Sequence, residues 1–219
     1  MKKLVIFDLD GTLCDTTLSM MLCGNATLEK LSLPTFARRD YARFSGGGIE
    51  GYVNTILEAA GDREHKNFDR FWQYYLKVQE TLPDDAIAPY EGIVPVLEEC
   101  RRRGVLLAVL SNKDQASCEE TVLRYFDAGL FDCIRGDRGV GPVKPDPTGV
   151  FDLMREFGVS PADCLYVGDT EIDMETGVRA DVPTVAALWG YRDRELLEAY
   201  KPAFFAERPM DLLPLLDKS

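Results

Sequence analysis

Residues Leu4 to Leu13, reading Leu-Val-Ile-Phe-Asp-Leu-Asp-Gly-Thr-Leu, constrain the fold more than any other part of the chain. Leu4 to Phe7 is an unbroken apolar run of β-branched and aromatic residues, the composition of a strand buried on both faces of a parallel sheet. It ends abruptly in two carboxylates, Asp8 and Asp10, followed by Gly11-Thr12. Open α/β sheets bind their ligands beyond the carboxyl ends of their strands, so both acids stand where chemistry is expected. A calcium-loop reading fails on spacing, because that loop needs glycine at its sixth position and glutamate at its twelfth. Here the glycine is fourth and the twelfth position is Ser19.

A chain of 219 residues is long enough for one domain with a large insertion, or for two small ones. Its net charge of -12 argues against a nucleic-acid or anionic-membrane surface. Arg101-Arg102-Arg103, the only dense basic run, reads as the solvated last turn of a helix that stops at Gly104. The apolar run at the amino terminus is broken at Asp8, which excludes a signal peptide or membrane span as its role and makes a cytoplasmic location the expectation. No Cys-x-x-Cys pair occurs among Cys14, Cys23, Cys100, Cys118, Cys133 and Cys164, so neither a zinc site nor a disulfide framework is indicated. His65 is the single histidine and lies in a charged loop, which argues against an imidazole-centred triad.

After the first strand the pattern turns helical for about seventy residues. Ile49, Tyr52, Val53, Ile56, Leu57 and Ala60 follow the spacing of an amphipathic helix, as do Phe68, Phe71, Trp72 and Tyr75, with a further segment around Met20 to Leu31. The block from 15 to 84 therefore reads as a small helical bundle inserted between segments 1–14 and 85–219, with hinges at Cys14 to Thr17 and Thr81 to Pro89. Gly46-Gly47-Gly48-Ile49-Glu50-Gly51 satisfies Gly-x-Gly-x-x-Gly literally, but no buried strand precedes it. It reads as a loop at a helix start, whose amides could face an anion.

Alternation of helix and strand then resumes. Gly92 to Arg103 reads as a helix and Val105 to Leu110 as a strand ending in Ser111-Asn112-Lys113, a pair suited to phosphate oxygens or to capping the next helix. Phe131 to Ile134 is a weak strand. Lys144 lies in a Gly- and Pro-rich loop, a setting in which most lysines are simply solvated. Cys164 to Val167 is a buried strand ending in Gly168-Asp169-Thr170-Glu171-Ile172-Asp173, where Asp169 and Asp173 can point to one side. Val182 to Ala187 and Ala203 to Ala206 read as short strands, and Met210 to Leu216 as a closing helix.

Taken in order, Asp8-Leu9-Asp10-Gly11-Thr12, Ser111-Asn112, Lys144-Pro145 and Gly168-Asp169-Thr170-Glu171-Ile172-Asp173 resemble the four motifs of the haloacid dehalogenase superfamily over essentially the whole chain. The resemblance implies a Rossmann-like α/β core, a parallel sheet flanked by helices, with an α-helical cap inserted after the first motif. It implies Mg²⁺ held by the side chains of Asp8 and Asp169 and the carbonyl of Asp10. It makes Asp8 the nucleophile that forms an aspartyl-phosphate, Asp10 the acid and base, and Lys144 the charge offset. Ser111, Asn112 and Thr12 would bind the phosphoryl oxygens, and Asp173 would position Lys144 or a metal-bound water. Gly46, Gly47 and Gly48 would meet the leaving group. An acid at position 10 favours phosphoryl transfer over dehalogenation.

Ser111-Asn112-Lys113 and Leu188-Trp189-Gly190-Tyr191-Arg192 look most like the phosphoglycolate phosphatase group, from which Asp181 departs where glycine is common. The expected partner is a small phosphorylated metabolite, with no nucleic acid or membrane, on a monomer or homodimer. The alternatives are a mutase similar to β-phosphoglucomutase, an inorganic pyrophosphatase, and, from a different class, a phospho-accepting switch like a receiver domain. In the last, the acceptor follows a later strand and no helical insert follows the first.

Overall fold

The structure is a computed structural model that describes residues 1–218; Ser219 lies outside the described residues. The chain divides into two units, the first formed by Met1–Cys14 with the chain from Pro89 onward, the second by Asp15–Ala88. The second boundary thus falls four residues beyond the expected break at 84/85.

In chain order the first unit begins with β1 (Leu4–Phe7) and the connecting strand β2 (Cys14–Asp15). The second unit follows as α1 (Thr17–Lys30), α2 (Arg38–Phe44), α3 (Gly48–Ala59) and α4 (Phe68–Gln79). A return strand, β3 (Ala88–Pro89), pairs with β2. Then come α5 (Ile93–Arg102), β4 (Leu106–Asp114), α6 (Gln115–Tyr125), β5 (Cys133–Asp137), α7 (Thr148–Phe157), β6 (Cys164–Gly168) and α8 (Glu171–Arg179). The chain closes with β7 (Thr184–Ala187), α9 (Arg194–Glu198), β8 (Phe204–Ala206) and a 3₁₀ segment at Pro209–Asp217.

Six strands form one sheet in the order β5-β4-β1-β6-β7-β8, with every neighbouring pair parallel. β1 lies between β4 and β6, where the winding reverses, the place at which such sheets open a crevice at their carboxyl ends. Phe7 is level with Val109 on one side and Val167 on the other. The three strands therefore deliver Asp8, Ser111 and Asp169 to the same edge.

All four β1 residues are buried, as a central strand covered on both faces requires. Leu4 and Ile6 point to one face, where they pack with Val150, Leu153 and Met154 of α7 and Tyr166 of β6. On α5 the buried residues are Ile93, Val96, Leu97 and Cys100, the i, i+3, i+4, i+7 stripe of an amphipathic helix. The helical unit has its own core, built on Cys23, Leu28, Tyr41, Val53, Ile56, Leu57 and Phe71. At roughly 1.5–3 kcal/mol per fully buried large apolar side chain, such a core is a substantial driving force for this unit by itself.

Four sequence expectations shift. β4 runs through Ser111 and Asn112 to Asp114, because its backbone continues to pair with β5 past an irregularity between Leu110 and Asp114. β5 lies at Cys133–Asp137, later than Phe131 to Ile134. The strand sought from Val182 begins at Thr184. The closing segment is a 3₁₀ helix containing Pro214, which removes the amide an α-helix would use there. Asp181 has φ 57, the left-handed region in which glycine is common and aspartate tolerated.

Candidate active site

Asp8 is the first residue past β1, and its N–H donates to Val167 O of β6 at 2.9 Å, which fixes it against the neighbouring strand. Its Oδ1 accepts from Leu9 N at 2.7 Å and lies 2.8 Å from Lys144 Nζ. Lys144 Nζ also donates to Asp173 Oδ1 at 2.7 Å, with the two side chains 4% and 0% exposed. Lys144 is thus a buried bridge between two carboxylates, not a solvated loop residue. Its loop is held by Asn112, whose Nδ2 donates to Lys144 O and whose Oδ1 accepts from Lys144 N, both at 2.9 Å.

Asp173 is fixed from the other side. Thr170 caps α8 and donates to Asp173 Oδ2 from its N at 3.0 Å and its Oγ1 at 2.6 Å. Tyr166 OH of β6 donates to Oδ1 at 3.2 Å. Both oxygens of Asp173 are therefore engaged by protein donors.

Asp169 follows β6 and is fully buried. Thr12 Oγ1 donates to its Oδ1 at 2.7 Å, and Tyr191 N to its Oδ2 at 2.8 Å. The loop after β7 reaches this place because Trp189 Nε1 donates to Thr12 O at 3.0 Å. Two glycines make the approach possible. A Cβ on Gly11, whose φ is 89°, would run into the Asp169 carboxyl, and one on Gly190 into Asp169 and the Gly11 carbonyl.

Carboxylate oxygens of Asp8, Asp169 and Asp173 can all lie within 4.8 Å of one another. Burial, then the Asp173 carboxylate, pushes the Asp8 carboxyl up to about 7, against the pull of Lys144. Burial, reinforced by Asp173 and Asp8, holds Asp169 well above the usual carboxylate range. Burial alone would lower the Lys144 ammonium, but Asp173 and Asp8 outweigh it and hold it well above the ordinary lysine value. A buried set with more carboxylates than cations and only oxygen donors fits a hard divalent ion such as Mg²⁺. Asp173 carries two donors on each oxygen, from Lys144, Tyr166 and Thr170, whereas each Asp169 oxygen accepts one, from Thr12 or Tyr191, so Asp169 keeps lone pairs and, with Asp8, is better placed to serve such an ion.

Asp10 is set apart. Its carboxylate faces Lys113, whose Nζ lies 3.1 Å from Oδ1 and 3.5 Å from Oδ2. Both side chains are about a fifth exposed, 21% and 19%. Burial lowers the Lys113 ammonium, but Asp10 beside it outweighs this and raises it.

The fold brings Asp8, Asp10, Thr12, Ser111, Asn112, Lys144, Asp169 and Asp173 to one edge of one sheet. Thr12, expected among the phosphate-binding groups, instead donates its hydroxyl to Asp169 and is buried, so it orients a carboxylate. The Asn112 side chain holds the Lys144 backbone, which leaves its own backbone and the Ser111 hydroxyl as the groups suited to an anion. Gly46, Gly47 and Gly48 belong to the helical unit, at the start of α3, as a loop ahead of a helix. Sequence reasoning did not assign roles to Lys113, Tyr166, Thr170 or the Trp189-Gly190-Tyr191 turn. Only the turn carried a signal, two aromatic residues flanking a glycine just after a buried strand. Among the described residues, no helix is long and apolar enough to cross a membrane, and the cysteines stand outside disulfides, all but Cys133 buried.

A family model described as haloacid dehalogenase-like hydrolase matches residues 5–187. The phosphoglycolate phosphatase of Aquifex aeolicus is 34% identical to the chain, covering 98% of this chain and 97% of its own length. Pyrophosphatase PpaX of Bacillus cereus is 27% identical, over 97% of this chain and 95% of its own. Among solved structures, a Lactobacillus delbrueckii subsp. bulgaricus protein provisionally named phosphoglycolate phosphatase superposes with a TM-score of 0.91 at 25% identity, covering 100% of both chains.

Proposed function

Because the chain belongs to the haloacid dehalogenase-like hydrolases, we propose that it is a Mg²⁺-dependent phosphatase that hydrolyses a small phosphate monoester, 2-phosphoglycolate first among candidates, through an aspartyl-phosphate on Asp8. The observation that carries this reading is the contact of Asp8 Oδ1 with Lys144 Nζ at 2.8 Å, beside Asp169 and at the end of the central strand. A carboxylate nucleophile approaching a phosphate dianion meets its like charge. Positive charge must therefore stand on both.

Asp8, Asp169 and the Asp10 carbonyl would hold Mg²⁺, which when bound supplies charge neutralisation to nucleophile and phosphoryl group. Lys144 keeps its ammonium against Asp8 and screens it from Asp173, so the nucleophilic oxygen is oriented as well as neutralised. The Ser111 hydroxyl and the Asn112 backbone hold phosphoryl oxygens. Asp8 Oδ forms the bond to phosphorus as the ester P–O bond breaks, and Asp10 gives its proton to the departing alkoxide oxygen. Asp10 then removes a proton from water, which attacks phosphorus and returns Asp8 as a carboxylate with release of inorganic phosphate.

The test is phosphate release from 2-phosphoglycolate, pyrophosphate, hexose phosphates and nucleotides, with and without Mg²⁺, with Asp8→Asn as control. Multiple turnover that requires both Mg²⁺ and Asp8 is expected. Stoichiometric phosphate retained on the protein would replace this reading with that of a switch. Pyrophosphate is the second substrate to weigh, supported by the likeness to the Bacillus cereus pyrophosphatase over nearly the whole chain.

A further inference from the structure

Two lysines serve the acidic edge, and they differ in how their charge is used. Lys144 is enclosed, 4% exposed, and donates to two carboxylates at 2.8 and 2.7 Å. Lys113 is 19% exposed, and among the described residues its ammonium makes hydrogen bonds to Asp10 alone, one at 3.1 Å and one long at 3.5 Å. An ammonium carries three donors, so Lys113 has bonding capacity left on an open side. Its backbone is fixed near the irregularity in β4, where its N–H donates to Ser111 Oγ at 3.2 Å. Gly136 of β5 lets the neighbouring strand press against the Lys113 carbonyl, which a Cβ there would meet at 2.7 Å.

We infer that Lys113 is a specificity-determining residue that receives a negative charge on the leaving group, so that the enzyme favours esters whose departing part is itself anionic. The inference rests on the phosphatase reading above, in which Asp10 protonates the leaving oxygen. A general acid works within about 3 Å of that oxygen, and Asp10 Oδ1 is 3.1 Å from Lys113 Nζ. The leaving oxygen then lies within about 6 Å of the ammonium. A carboxylate or a second phosphoryl group attached one or two bonds further on comes within reach of the unused donors. A neutral substituent in the same place gains nothing from the charge. Lys144, which is enclosed, cannot perform this role, because its ammonium is directed to Asp8 and Asp173.

The discriminating comparison is between 2-phosphoglycolate and its neutral counterpart of similar size, 2-hydroxyethyl phosphate, with pyrophosphate as the phosphoryl-bearing arm. For wild type, Lys113→Gln and Lys113→Arg, kcat and KM are measured on each. In Lys113→Gln the ratio of kcat/KM for 2-phosphoglycolate to that for 2-hydroxyethyl phosphate should fall about tenfold or more, largely through KM, and Lys113→Arg should recover most of it. A fall confined to pyrophosphate assigns the second phosphoryl group, and one confined to 2-phosphoglycolate the carboxylate. Lys113→Met gives the same comparison should the amide variant not fold. Equal losses on charged and neutral esters would overturn the inference, since Lys113 would then act only by positioning Asp10, while leaving the phosphatase intact. A wild-type protein that releases phosphate from none of the esters would overturn both.

Discussion

Asn112 holds the backbone of Lys144 at both its polar atoms, donating from Nδ2 to the carbonyl and accepting at Oδ1 from the N–H, each at 2.9 Å over 32 residues of sequence. The pair works as a splint: a loop rich in glycine and proline carries the most buried cation of the site, and one amide from β4 sets its position. Asn112→Ala leaves both Lys144 backbone groups without that partner. A cost of about 2–4 kcal/mol is expected from two unmet buried groups. Phosphate release should fall on the order of a hundredfold through misplacement of the ammonium. Urea unfolding and steady-state kinetics measure the two effects. An unchanged kcat would mean that the loop holds Lys144 without Asn112.

Lys144→Met tests the charge rather than its placement. The variant leaves Asp8 and Asp173 facing each other in a buried site with their cation gone, for which a loss of about 3–5 kcal/mol is expected. Activity should vanish with it. Combining Lys144→Met with Asp8→Asn removes one of the stranded charges, so the double variant should be more stable than Lys144→Met alone. Thermal unfolding of the variants decides, and strict additivity would contradict the coupling drawn from the 2.8 Å contact.

The Asp8 carboxyl gives a pH dependence with a definite sign. Its folded value of about 7 lies above the ordinary 3.8. The unfolded chain releases this proton first, so the stability tied to Asp8 is complete below about pH 4 and is lost as pH rises through about 7. In chelator-treated buffer, wild type should therefore lose stability relative to Asp8→Asn between these limits, by at most about 1.4 kcal/mol per pH unit. Mg²⁺ at a hundred times its Kd should restore about 2.7 kcal/mol to wild type at pH 8, and much less to Asp169→Asn. Urea denaturation at a series of pH values, with and without the ion, measures both, and a wild-type difference flat with pH would be the contrary result.

The helical unit allows a prediction of its own. Asn25 donates from Nδ2 to Phe36 O and accepts from Phe36 N, both at 2.9 Å, and its Oδ1 also accepts from the buried Tyr41 OH at 2.7 Å. One amide thus ties α1 to the segment that enters α2. Asn25→Ala should cost about 2–4 kcal/mol, whereas Tyr41→Phe, which leaves the bonds to Phe36 in place, should cost about 1 kcal/mol. Hydrogen exchange at Phe36 reports this directly: faster exchange in Asn25→Ala and wild-type protection in Tyr41→Phe are expected.

The readable part of the site was the part written locally. A buried run that stops in Asp8-Leu9-Asp10 announces a strand end by composition alone, and seventy residues of helical period announce an insertion. What stayed hidden depends on pairings across long stretches of chain. Trp189 meets Thr12 over 177 residues and Lys113 meets Asp10 over 103. Periodicity records which face of an element is buried, not which loops converge at a sheet edge. Thr12 is the instructive case. The resemblance sets it among the phosphate-binding groups, and the strand order, which sets β6 beside β1, gives its hydroxyl Asp169 as acceptor. The reach of β4 through Asp114 was hidden for a similar reason, since polar Ser111-Asn112 fall in an irregularity beyond which β5 pairs again, Asp137 with Asp114.

The turn after β7 separates steric from hydrogen-bonding contributions at Asp169. Tyr191 N donates to Asp169 Oδ2 at 2.8 Å, so any backbone shift in the turn moves a proposed metal ligand. Gly190→Ala puts a methyl group into the Asp169 side chain and the Gly11 carbonyl. Neither can retreat easily, because Asp169 is fully buried and Gly11 occupies a backbone conformation with φ 89. A destabilisation of about 1–3 kcal/mol is expected, with a higher Mg²⁺ concentration for half-maximal activity as the more specific effect. Trp189→Phe removes the bond to Thr12 O but keeps an aromatic ring, so it should cost about 1 kcal/mol and leave the Mg²⁺ concentration for half-maximal activity within about twofold of wild type. Titrating activity with Mg²⁺ in the two variants distinguishes them: a raised requirement in Gly190→Ala alone identifies the close approach of the turn, rather than its anchoring to Thr12, as what holds Asp169 in place.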